Sequence, residues 1–167
     1  MRTNKLVLTA LFVALNVVLS TLITIPLGPI KAAPMQHFIN VLSAVFLGPW
    51  FGLAQAFLSS VIRMIFGIGS PFAFPGSMIG VFLASILYMY RKHIFVAAIG
   101  EVIGTGIIGS LVCIPLAMVL NIQNFMIRPL MMTFMVSSFV GAIISYVLLM
   151  VLKKRGLIDK FSHKYKR

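Results

Sequence analysis

Read for polarity alone, the chain is a series of long uncharged runs separated by single charges or small basic clusters. Residues 6–30, 32–62, 64–90, 102–127 and 129–152 contain no Asp, Glu, Lys or Arg. Each run exceeds the ~18 residues that mark a membrane-spanning candidate. Lipid offers the backbone no hydrogen-bond partners, which leaves helices or a closed barrel. Barrel strands alternate apolar and polar residues with a period of two. These runs are apolar throughout, so the pattern predicts helices.

Prolines, glycines and polar clusters divide the runs into six helices, expected over 6–25, 36–47, 50–67, 76–90, 94–118 and 129–152. Pro26, Gly28, Pro29 and Pro34 make 26–35 a loop. Taken as one helix, 32–62 would be ~46 Å long, too long for a bilayer without strong tilt. Gly48-Pro49 is the natural break, and it leaves a short second helix. Gly67, Gly69, Ser70, Pro71, Pro75 and Gly76 mark the next loop, and Asn121, Gln123 and Asn124 a polar one. Pro129 suits the first turn of the last helix. The expectation is one all-α membrane domain over 1–167, a six-transmembrane-helix bundle with no internal repeat and no separate soluble domain.

Charge sets the expected orientation. The net charge is +12, and seven of the fourteen basic residues follow Val151 in the tail 153–167. In a soluble protein such an excess would suggest nucleic acid. Here it reads as a positive-inside anchor on anionic lipid. Six spans with cytoplasmic termini place eleven basic residues inside: Arg2, Lys5, Arg91, Lys92 and the seven of the tail. Lys31, Arg63 and Arg128 remain outside or within the membrane. Five spans would serve the charge rule almost as well, so the sixth rests on Gly48-Pro49 and on helix length. Residues 1–5 look like the start of a signal peptide, but the apolar stretch behind them is too long. At 60% hydrophobic and 10% charged, with a mean hydropathy of +1.09, the chain fits a multi-pass membrane protein.

The candidate chemistry is sparse. Glu101 and Asp159 are the two acids, and Asp159 sits among the tail cations. A metal-binding aspartate cluster or a pair of catalytic carboxylates within the membrane is therefore excluded. His37, His93 and His163 lie in different segments without ligand spacing, Cys113 is the single cysteine, and no phosphate-cradling P-loop is present. No metal and no cofactor are expected.

Charges in a membrane need partners or a task. Glu101 reads either as an acceptor for a polar ligand or as a structural partner for Arg63, and Arg63 divides the same way. Lys31 and Arg128 can snorkel to the interface. The densest polar cluster, Gln36, His37, Asn40 and Ser43, lies at spacings of three and four on one face of the short helix. Two readings stand for it, ligand contact and interhelical hydrogen bonding. Phe72 and Phe74 offer rings for stacking, or anchor their loop. Gly100, Gly104, Gly106 and Gly109 permit close helix packing, with Thr105 among them. Trp50 reads as an interfacial anchor, and Ala10 and Ala14 form a small-xxx-small pair on the first helix.

Together these features resemble the substrate-binding (S) components of energy-coupling-factor (ECF) vitamin transporters. The resemblance extends over essentially the whole chain. The stretches GPIKAAPMQHFINVLSAVFLGPWFG (28–52), FAFPGSMIG (72–80) and GEVIGTGIIG (100–109) are similar to the ThiW subfamily. That resemblance implies capture of a thiamine precursor, hydroxyethylthiazole foremost, in a prokaryotic plasma membrane. A transmembrane coupling protein and two ABC ATPases are the implied partners, and the chain itself would not be an enzyme. Ala10 and Ala14 would contact the coupling protein. Gln36, His37, Asn40, Arg63, Phe72, Phe74, Glu101 and Thr105 are the candidate binding residues. Thiamine itself or another vitamin precursor is the alternative substrate. A small membrane enzyme using His37 with Glu101, or a scaffold protein, are the readings from other classes.

Overall fold

The computed structural model describes residues 2–27, 30–123 and 125–158. Six helices form: α1 (Arg2–Leu22), α2 (Pro34–Phe46), α3 (Pro49–Ile65), α4 (Ala73–Arg91), α5 (Ile94–Val119) and α6 (Ile127–Lys154). The loop expected over 26–35 holds a small antiparallel ladder, β1 (Ile25–Leu27) with β2 (Ile30–Ala32), in which Pro26 faces Lys31. Only three residues per strand pair, a length too short for apolar alternation to register in the sequence. Gly28, Pro29, Asn124, Asp159 and the end of the basic tail lie outside the described residues.

Four of the six helices are long and apolar enough to cross a membrane: α1, α4, α5 and α6. The six expected helices all form, and length and composition single out these four as spans. With 13 and 17 residues, α2 and α3 rise only ~20 and ~26 Å, less than a ~30 Å hydrocarbon core. The break between them lies where expected. Gly48 has φ +80°, a conformation that an L side chain resists, and Pro49 opens α3 at its first turn.

Successive helices run antiparallel. Phe12 meets Phe46 (ring centroids 6.4 Å apart), Trp50 meets Phe82 (6.1 Å) and Phe95 meets Tyr146 (5.9 Å) at one end. Phe57 meets Phe74 (5.7 Å) and Phe72 meets Phe125 (5.1 Å) at the other. The start of α1 and the end of α6 therefore share an end, with Lys5, Arg91, Lys92, Lys153 and Lys154.

The shortest helix is the most buried. Ten of the thirteen α2 residues are buried, against α1, α4 and α6. Ile39, Val41 and Leu42 join Phe12, Leu47, Ala97 and Leu149 in the apolar core. Leu6, Val7, Leu11, Val18, Phe139, Ile143 and Val147 point outward, as lipid contact requires. On one side α4 and α5 touch backbone to backbone: a Cβ on Gly104 would stand 2.8 Å from the Gly80 Cα. Beside this contact α5 widens into a π-helical stretch, Gly104–Gly109. The Ser110 hydroxyl donates to the Gly106 carbonyl there (2.7 Å), and such irregular turns in helices often sit at functional sites.

Candidate functional site

The first two turns of α2 place Gln36, His37, Asn40 and Ser43 in the interior, each no more than 5% exposed. Apolar neighbours Ile39, Val41 and Leu42 fix the helix in the core, and the polar face is carried in with them. Gly141 of α6 lets this happen, since a Cβ there would lie 2.3 Å from the Pro34 carbonyl oxygen and 2.8 Å from the His37 Cβ.

Opposite this face, Glu101 of α5 is fully buried. Its Oε1 accepts from the Asn40 amide (2.9 Å) and the Thr105 hydroxyl (3.1 Å), and lies 2.8 Å from His37 Nδ1. Asn40 is held in turn by Ser77 of α4, 3.0 Å from its hydroxyl, and that hydroxyl is 3.2 Å from Asn40 Oδ1. Side chains of α2 and α5 thus converge on one carboxylate oxygen, and α4 joins the network through Asn40. A buried carboxylate is tolerable only with such donors. Arg63, the partner considered from sequence, is elsewhere: its Nη1 donates to Gln36 Oε1.

Above His37 a cavity of about 650 Å³ opens towards the end of the bundle opposite the termini. Its wall includes Ser20, Thr21 and Thr24 at the end of α1, Gln36 and His37 of α2, and Arg63 of α3. The 67–73 segment closes one side, and Ile122, Phe125 and Met126 with Thr133, Phe134 and Ser137 of α6 the other. The volume and the mix of rings with a few polar groups suit a small organic molecule. With Nδ1 turned to Glu101, Nε2 is the ring nitrogen of His37 left for a cavity occupant.

The sequence candidates thus separate into layers. Gln36, His37, Arg63 and Phe72 line the cavity, while Asn40, Glu101 and Thr105 stand behind His37. Phe74 packs on Phe57 and is absent from the cavity wall. Ala10 and Ala14 are exposed on the outer face of α1. By helical rise Glu101 is ~10 Å from the start of α5 and ~27 Å from its end, so the network lies nearer the basic end. The short α2 explains how it still meets the cavity, because His37 is in that helix's first turns. Sequence reading missed the α6 side of the wall. Its signal was present: Thr133, Ser137, Gly141 and Ser145 recur every fourth residue, one small or polar stripe on a long apolar helix.

The contact between His37 and Glu101 meets the geometric condition of the enzyme reading. The fully buried Glu101 leaves His37 alone at the wall, however, and no group of three potential metal ligands occurs among the described residues. A family comparison supplies what geometry leaves open. Residues 6–155 match the thiamine-precursor transporter protein (ThiW) family. The chain belongs to the ThiW family. Comparison with curated proteins and with solved structures finds no match. Membership makes this ThiW chain a membrane transport protein for a thiamine precursor.

Proposed function

We propose that this ThiW protein is the substrate-capture subunit of an ECF-type importer and that its cavity holds a thiazole precursor of thiamine, with hydroxyethylthiazole as the parent compound. The observation that carries this reading is a cavity of about 650 Å³, lined by rings and a few polar groups, at the end of the bundle away from the basic termini. By the positive-inside rule the basic end faces the cytoplasm, so the cavity opens outward, in a prokaryotic plasma membrane. All six helices then cross the bilayer as one membrane domain. The short α2 starts below the outer surface, and the β1–β2 hairpin fills the depth it leaves.

Hydroxyethylthiazole has a flat ring, a ring nitrogen and one hydroxyl. Phe72 and Phe125 supply ring surface. The free imidazole nitrogen of His37 accepts from the hydroxyl, and Gln36, Thr133 and Ser137 offer further hydrogen bonds. Asn40, Glu101 and Thr105 act as positioning residues through His37. The energy for uptake comes from a transmembrane coupling protein with two ABC ATPases, and the exposed Ala10 and Ala14 give that coupling protein a smooth face on which to pack.

Calorimetry on the purified protein is expected to show saturable, submicromolar binding of hydroxyethylthiazole. Saturable binding of thiamine alone would transfer the site to the finished vitamin, and no binding of any precursor would refute the capture role. Replacing both Ala10 and Ala14 by Trp is expected to abolish uptake in cells while leaving calorimetric binding intact. Loss of both together would make the alanine pair structural.

A further inference from the structure

Among the described residues, no anion balances the charge of Arg63. Arg63 is 6% exposed, at the end of α3 on the cavity wall. Among the described residues its single acceptor is Gln36 Oε1, a neutral amide, and its Nε has no partner. The sequence contains two carboxylates. Glu101 is engaged through Oε1 by His37, Asn40 and Thr105, and Asp159 lies outside the described residues. Among the described cavity-lining residues there is no Asp or Glu, and Arg63 is the one Lys or Arg. A buried cation without an anion is costly.

The backbone adds to the same field. The starts of α2, α4 and α6 all meet the cavity, through Ala33, Phe72 and Ala73, and Met126 and Pro129. None of the three has a side-chain cap, so their partial positive charges are not offset locally. The negative end of α3 lies beside them but is closed on itself. The N–H groups of Phe66, Gly67, Ile68 and Gly69 return to the carbonyls of Ile62, Met64 and Arg63. The wall is therefore electropositive around Arg63.

We propose that Arg63 and the helix N-termini around it form a carboxylate subsite, so that the substrate captured is a thiazole bearing one carboxylate rather than the neutral parent compound. This rests on the thiazole-capture reading and deepens it. One guanidinium matches one carboxylate in charge and geometry. A phosphate ester, with about −1.5 to −2 charges at neutral pH, would exceed the single cation. The ring then lies towards Phe72 and Phe125, with the carboxylate on Arg63 and the hydroxyl towards His37.

The test is calorimetry with three probes: hydroxyethylthiazole, its ring-carboxylated analogue and its phosphate ester. Wild-type protein should bind the carboxylate roughly tenfold or more tightly than either of the others. Arg63→Gln should remove that preference, weakening the carboxylate by roughly thirtyfold while the neutral compound stays within about threefold. Arg63→Lys, which keeps the charge but not the planar fork, should be intermediate, and it serves if Arg63→Gln fails to fold by thermal melt. Equal or tighter wild-type binding of the neutral compound or the phosphate ester overturns the carboxylate subsite and leaves the capture reading intact. So does an Arg63→Gln protein that melts normally and loses all probes equally. If no thiazole binds at all, both readings fail together.

Discussion

The two ends of this bundle are built on opposite principles. At the end with the termini, charge is plentiful and mostly exposed: Arg91, Lys92, Lys153 and Lys154 stand exposed at helix ends around apolar packing, and Lys5 is half-buried over the Phe51 ring. At the other end charge is rarer, with Arg128 exposed at the start of α6 and Arg63 buried. Arg63 lines a cavity, and Glu101 lies deep beneath it under three polar contacts. Exposed charges in water are inexpensive and nearly interchangeable. Buried ones are expensive and depend on specific partners. The basic end can therefore orient the protein through number alone, whereas the cavity end requires particular residues at particular places.

Substitutions at the two ends should differ accordingly. The largest effect is expected from Glu101→Leu, which leaves His37, Asn40 and Thr105 without their common acceptor. Breaking such a buried network costs ~3–5 kcal/mol, visible as a lowered thermal midpoint in detergent and as lost ligand binding by calorimetry. An unchanged midpoint would mean that the carboxylate is not what holds α2, α4 and α5 together.

A smaller effect is expected from Gly80→Ala. The new Cβ would stand 2.1 Å from the Thr105 hydroxyl and 2.8 Å from Glu101 Oε2. The network must shift to admit it, at ~1–3 kcal/mol, and ligand affinity should fall with the midpoint. The same melts and titrations read it, and retention of both would show that the α4–α5 contact has slack. Replacing Lys153, Lys154 and Arg155 by Ala should change least in the purified protein, ~0.5 kcal/mol or less in stability with ligand affinity within about twofold. Its effect belongs to membrane orientation, measured by accessibility labelling of the tail in cells. A large loss of ligand affinity in this variant would break the contrast between the two ends.

Much of the architecture was legible before any coordinates. The helices expected over 36–47 and 50–67 are Pro34–Phe46 and Pro49–Ile65, because Gly48-Pro49 is punctuation strong enough to interrupt a 31-residue uncharged run. Membrane character followed from the same runs. Three features left little or no trace. The β1–β2 hairpin is too short to show a period, and the π-helical turn at Gly104–Gly109 changes no polarity pattern. The shortness of α2 was already legible from the sequence, whereas the shortfall of α3, expected over 50–67, appears only once both helix ends are fixed.

The site divides along the same line. Gln36, His37 and Asn40 were legible as a cluster because they are local, three and four residues apart on one helix. What they touch was not. Asn40 and Glu101 are 61 residues apart and His37 and Glu101 are 64 apart, and polarity patterns contain no information about such pairs. The sequence by itself determined that this protein lives in a membrane, where its helices begin and end, and that it has too few carboxylates to balance its cations. Only the tertiary structure decided that His37 takes Glu101 and that Arg63 is left facing the cavity. Partner choice depends on how α2, α4 and α5 pack, and packing is a property of the assembled faces rather than of any one run of residues.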